Sequence, residues 1–179
     1  MAQMDQEVHQ VQSTGRIKSA VRIIFGVIWA VDAWLKWQPA FRKEYLTLLT
    51  AAAKGQSAIL LPWFHFWTAL VAPRVAFFAV TTALIESVIA IALIVGFARK
   101  ITYILAALFS LLIWSTAEGF GGPYTAGATD VGTGIIYAVV FLALLALNAQ
   151  AGPSRYSLDR FLEARLPWWH CVAEVKTIR

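Results

Sequence analysis

Four long apolar runs, residues 19–37, 75–97, 101–117 and 131–149, alternate along the chain with segments that gather its charged, glycine and clustered aromatic residues. At a rise of about 1.5 Å per residue, apolar helices of this length match the roughly 30 Å hydrocarbon core of a bilayer. Peptide groups find no water there, so each run must satisfy its own hydrogen bonds. The pattern therefore predicts an all-α integral membrane protein, a bundle of four transmembrane helices.

The connections carry further structure. Residues 40–53 have helical spacing, and 60–72 crowd Trp63, Phe64, Phe66 and Trp67 around His65. Too short to span, 60–72 predicts an interfacial or partly re-entrant helix in the first connection, 38–74, read first as a membrane-surface anchor and second as a roof over a cavity between the spans. After the fourth run, Gly152 and Pro153 stop the helix. Ser157 then starts an amphipathic surface helix with Leu158, Phe161 and Leu162 on one face and Trp168 and Trp169 beyond it.

Composition agrees with the pattern. Of the 179 residues 59% are hydrophobic and 14% charged, with a mean hydropathy of +0.65, against about a quarter charged in an ordinary soluble domain. The net charge of +5 comes from basic residues scattered between apolar runs, which points to anionic lipid rather than nucleic acid. Arg16, Lys18 and Arg22 precede the first span, Arg99 and Lys100 separate the second and third, and Arg155, Arg160 and Arg165 follow the fourth. The positive-inside rule then puts both termini and the middle loop in the cytoplasm of a multi-pass plasma-membrane protein. Arg22, close to that side, is expected to snorkel to headgroups. Residues 1–18 read as a polar tail without the apolar core of a cleavable signal.

Charges inside apolar runs need a reason, because each costs about 2.5–3.5 kcal/mol on insertion scales. Asp32 and Lys36 lie one helical turn apart and can neutralise each other, in the outer half of the first span. Glu86 falls near the middle of the second. Glu118 closes the third span and Asp130 opens the fourth, both at the outer face. Asp32, Lys36, Glu118 and Asp130 are expected to share an outward pocket with Glu86 beneath it. The stretch EGFGGPYTAGATDVGTG, 118–134, fits such a pocket: its glycines let backbone amides approach a small ligand, and its acids accept protons. An ion pair that merely fixes helix register is an equally good reading of Asp32 and Lys36. The single cysteine, Cys171, excludes an intrachain disulfide or a CxxC pair. His9, His65 and His170 fall in separate non-spanning segments, so neither a haem nor a metal centre is expected. GFGG lacks the strand–turn–helix setting of a nucleotide site.

The order R-x3-G (Arg22, Gly26), D-A-x2-K (Asp32, Ala33, Lys36), an acid in span two (Glu86) and G-x2-R (Gly96, Arg99) resembles the DoxX superfamily. The stretch W-x3-E-G-F-G-x-P-Y (Trp114, Glu118, Gly119, Phe120, Gly121, Pro123, Tyr124) and T-D-x-G-T-x3-Y (Thr129, Asp130, Gly132, Thr133, Tyr137) is most similar to DoxD, the membrane subunit of thiosulfate:quinone oxidoreductase. The resemblance, over about residues 20–162, implies a four-helix protein that oxidises thiosulfate at the outer face and reduces quinone in the membrane, together with a second subunit. It implies catalytic roles for Asp32, Glu86, Glu118 and Asp130, and substrate contacts for Lys36, Trp114, Gly121, Tyr124, Thr129 and Gly132. A non-catalytic accessory subunit of a larger respiratory or photosynthetic assembly, docking through its aromatic connection and tryptophan-ended tail, is the alternative. A small-solute transporter ranks below both, since the spans show no internal repeat.

Overall fold

The computed structural model describes residues 2–125, 130–150 and 156–175, with side chains from residue 15 onward and excepting that of Gln150. The described residues are helical, without strands: α1 (Ala2–Lys36), α2 (Pro39–Ala52), α3 (Leu61–Val71), α4 (Val75–Val95), α5 (Arg99–Thr116), α6 (Thr133–Gln150), α7 (Leu158–Arg165) and the short α8 (His170–Ala173). Where the sequence reads as a polar tail, the backbone is already helical from Ala2. Ala, Met, Gln and Glu are good helix formers, and no proline interrupts the run before Pro39. The aromatic segment also differs from its expected separation. α3 passes through a 3-10 turn, Ala72–Arg74, straight into α4, making a helical run from Leu61 to Val95. That run, with a mean hydropathy of 2.4 in its best window, is long and apolar enough to cross a membrane.

α1 packs along α4 and α5 along α6, and the two pairs meet to form a bundle. Each helix turns a face of three-to-four spacing inward: Arg22, Phe25, Trp29 and Ala33 from α1; Ala79, Ala83, Glu86, Ala90 and Leu93 from α4; Tyr103, Ala106 and Ser110 from α5; Ala138, Phe141, Leu144 and Asn148 from α6. Small residues let the backbones close. A Cβ on Gly26 would stand 2.9 Å from Leu93 Cβ, and one on Gly134 would stand 2.7 Å from the Ser110 carbonyl oxygen. Aromatic rings fill the centre edge-on, Phe25 lying 4.9 Å from Phe141 and 5.4 Å from Tyr137 between ring centroids.

The outward faces are apolar in turn. Ile24, Ile28, Val31 and Leu35 on α1, Leu84, Val88, Ile91 and Val95 on α4, Leu105 and Leu108 on α5, and Ile136, Val139 and Leu142 on α6 are all exposed. Charged Arg22 and Glu86, by contrast, are at most 1% exposed. This inverts the usual distribution of a water-soluble bundle.

The chain's last described segment closes one end of the bundle. The Asp159 carboxylate, fully buried, accepts the backbone N–H groups of Ala98 (2.6 Å) and Arg99 (3.0 Å), the Arg99 Nε–H (2.9 Å) and the Trp169 indole N–H (2.8 Å). It thereby caps α5 from a distant part of the chain, where a carboxylate also meets the positive end of the helix dipole. Arg99 donates in addition to Glu174, and Asn148 Nδ2 donates to the Ala173 carbonyl at 2.9 Å. Arg22, instead of reaching outward, is buried. Its guanidinium donates to the Leu93, Ile94 and Tyr156 carbonyls, the first two being among the unpaired carbonyls at the end of α4. Gly96 makes this approach achievable: its φ is +69°, and a Cβ there would stand 2.9 Å from the Arg22 guanidinium carbon.

Lys18, 4% exposed, borders this end. Burial lowers its pKa from 10.5 to about 8, against the opposing pull of Glu174. The folded protein therefore binds fewer protons than the unfolded chain between those values, and stability should rise with pH across that window. In thermal unfolding from pH 8 to 10, Lys18→Met is expected to flatten the rise seen in the parent; an unchanged slope would assign it elsewhere.

Candidate functional site

A cavity of about 410 Å³ opens between α2, α3, α4 and α5, near the end of the bundle opposite the Asp159 cluster. Its walls are mostly apolar, with Leu48, Leu49, Val71, Phe78, Phe109 and Ile113. Polar side chains interrupt them, among them Lys36, Tyr45, Thr81, Thr82, Glu86 and Glu118. Such a largely apolar chamber with a few placed polar groups has the make-up of a small-molecule site.

Glu86 is the most unusual of these. It is 0% exposed, and neither carboxylate oxygen has a hydrogen-bond partner. One turn earlier on α4, Thr82 shares a 3.0 Å hydrogen bond with the Tyr45 hydroxyl, which joins α2 to the cavity wall. Burial is the main cause of a raised Tyr45 pKa, so the phenol stays neutral. At the rim, Lys36 pairs with Asp32 at 3.3 Å, both side chains part-exposed, and its ammonium lies 5.1 Å from the Phe41 ring centroid. Trp67 contributes its ring to the wall, and its buried indole nitrogen meets no acceptor.

Glu118 links the cavity to the glycine-rich loop. Its carboxylate accepts the Gly134 N–H at 2.8 Å, capping the first turn of α6. Burial raises its pKa, the Gly134 hydrogen bond opposing and Asp130 adding to the shift. The loop turns its other polar groups upon itself. Asp130 accepts the Gly132 N–H, Trp114 Nε1 donates to the Val131 carbonyl at 2.8 Å, and the Tyr124 hydroxyl donates to the Phe120 carbonyl at 2.5 Å. Gly121 packs directly against the Val131 backbone. Gly132, with φ at +89°, leaves no room for a Cβ, which would stand 2.6 Å from Glu118 Oε2.

Of the residues singled out by sequence, the cavity thus gathers Lys36, Glu86 and Glu118, with Asp32 attached through Lys36. Asp130, Trp114, Gly121, Tyr124 and Gly132 do not line it; they fold the loop that adjoins it. Thr129 lies outside the described residues, as do Gly152 and Pro153. Sequence reasoning missed Tyr45 and Thr82 as cavity-lining groups, and did not single out Trp67 from the other rings of 60–72. The helical spacing of 40–53 placed Tyr45 on a helix but gave no sign of which face was covered. Among the described residues no three of His, Cys, Asp and Glu gather as metal ligands.

No family model, curated protein or solved structure matches the chain.

Proposed function

We propose that this chain is a DoxX-like, quinone-linked membrane subunit: a four-span bundle in the plasma membrane, both termini cytoplasmic, whose cavity takes the head of a quinone. The observation that carries the redox reading is Glu86, a fully buried acid with both oxygens unpartnered on the wall of an apolar chamber. An isolated carboxylate in such surroundings is costly unless it takes up a proton or meets a ligand. A quinone supplies apolar ring surface for the walls and carbonyl oxygens that need protons once electrons arrive. Its reduction consumes two electrons and two protons. Glu86 is the proton donor in reach, resupplied from the part-exposed Asp32–Lys36 pair at the rim.

The four-span reading rests on the inverted surface. Apolar stripes cover the outward faces of α1, α4, α5 and α6, the kind of continuous exposed apolar surface that marks contact with a membrane or a partner. Charges are confined to the interior and the ends, as a lipid solvent requires. The exposed Cys171 offers a direct check. In right-side-out vesicles an impermeant maleimide should label it only after permeabilisation, while Thr125→Cys in a Cys171→Ser background should label at once. The opposite pattern would invert the topology.

Thiosulfate is the electron donor that the family resemblance suggests. Two thiosulfates joined by a new sulfur–sulfur bond form tetrathionate and release the two electrons that quinone takes. Among the described residues lining the cavity, Lys36 is the only cation, and Asp32 neutralises it. That favours oxidation of the dianion on a partner subunit at the outer face, with this chain holding the quinone. Purified chain in mild detergent should then bind short-chain quinone but reduce it with thiosulfate only when the partner is present. Failure to bind quinone would move the chain to the accessory-subunit reading, for which exposed Trp63, Phe66 and Trp168 provide docking surface.

A further inference from the structure

A second residue of the cavity wall carries an unpaired polar group, Trp67 on α3, before the turn that leads into α4 and Glu86. Trp63 and Trp67 stand one turn apart on α3, their rings in edge contact with centroids 5.7 Å apart. Trp63, though exposed, has its indole N–H satisfied, donating to the Ser115 carbonyl at 3.0 Å. Trp67 does not: its Nε1 is buried, partnerless, and belongs to a residue on the cavity wall. The Trp29 indole N–H is also unpaired, but it sits in the ring cluster of Phe25, Tyr137 and Phe141, away from the cavity. A buried donor without an acceptor costs about 1–3 kcal/mol, and a ligand that supplies the acceptor recovers it.

We propose that Trp67 is the fixed hydrogen-bond donor for one carbonyl of the bound ligand, while Glu86 faces the other, so that the indole selects for the oxidised form. The assignment rests on the quinone reading above and adds a redox preference to it. The two groups differ in what they can offer. An indole N–H only donates, whereas a carboxyl donates when protonated and accepts when ionised. A quinone presents two carbonyl acceptors and satisfies Trp67 in full. A quinol presents hydroxyl groups, weaker acceptors whose own protons find no partner on an indole. Glu86 accommodates both forms by changing its proton; Trp67 cannot. The site accordingly binds quinone more tightly than quinol.

Trp67→Phe tests this, because it keeps an aromatic ring beside Trp63 and Phe66 and removes the N–H. Affinities of a short-chain quinone and of its quinol are measured for parent and variant in mild detergent by equilibrium dialysis. The variant should weaken quinone binding about tenfold and quinol binding less than about threefold. Equal weakening of the two forms, or none, while the parent binds quinone, would overturn the role of Trp67 and leave the quinone site standing. A parent that binds neither form would overturn the quinone reading and this assignment with it. Unfolding temperature of the variant distinguishes a lost hydrogen bond from a collapsed wall: it should match the parent, and a folded variant with unchanged preference contradicts the proposal.

Discussion

Glu86→Gln is expected to lower quinone reduction by at least about a hundredfold in the assembled system, the scale of losing a positioned general acid, without lowering the unfolding temperature of the chain. Gln has the shape of Glu, so the walls of the cavity stay filled. Because neither Glu86 oxygen is held by another group in the fold, no structural hydrogen bond is lost, and a buried ionisable group is replaced by a neutral one. A Glu86 that served only to hold helices together would show the reverse: lost stability and preserved turnover in whatever protein remained folded.

Asp159→Ala has the largest expected effect on stability, about 3–5 kcal/mol, as for breaking a buried ion pair by removing one partner. The change strips the acceptor from two backbone N–H groups at the start of α5, from Arg99 Nε and from the Trp169 indole at once. Glu174 still meets the Arg99 guanidinium, while the backbone N–H groups of Ala98 and Arg99 are capped by Asp159. The segment 156–175 should then detach from the bundle end. Trypsin cleavage at Arg160 and Arg165 reads this directly, and should accelerate in Asp159→Ala well before the bundle unfolds. Asp159→Asn, which keeps one acceptor oxygen, should fall between. Cleavage unchanged in both variants would mean that the apolar contacts alone, such as Phe97 against Trp169 at 5.2 Å, hold the segment. Asp32→Asn is the control: its pair with Lys36 is part-exposed, and its removal should cost no more than about 1 kcal/mol.

Much of the helical pattern was legible because it depends on local repeats. The length of each apolar run marks α1, α4, α5 and α6 as helices, and a lone acid in an apolar run marks Glu86. The joined run from Leu61 to Val95 was not legible, because Pro73 reads as a break; at a 3-10 turn its missing N–H and fixed φ are tolerated. The closing segment was hidden for a different reason. Asp159 and Arg99 are 60 residues apart, and each alone looks like an ordinary solvated charge. The same holds for Arg22, whose place near an apolar run suits lipid contact until α4 ends against it. Within the site, the acids of the glycine-rich loop were visible but their partners were not. Gly132 and Gly134 lie two residues after Asp130 and sixteen after Glu118, and give them amides to cap only once the loop has folded back. The unpaired state of Trp67 was not legible, because four rings around His65 share one composition and only packing separates the paired indole from the unpaired one.

The central claim is that the chamber around Glu86 holds a quinone, and photocrosslinking tests it most directly. A short-chain quinone carrying a photoreactive tail is irradiated with the purified chain in mild detergent, and labelled peptides are mapped by mass spectrometry. The account predicts label on the cavity-lining stretches of α2 to α5, around Tyr45, Trp67, Phe78 and Phe109, suppressed by excess unlabelled quinone and reduced in Glu86→Gln. Label spread over the outward apolar stripes, undiminished by competitor, would contradict it.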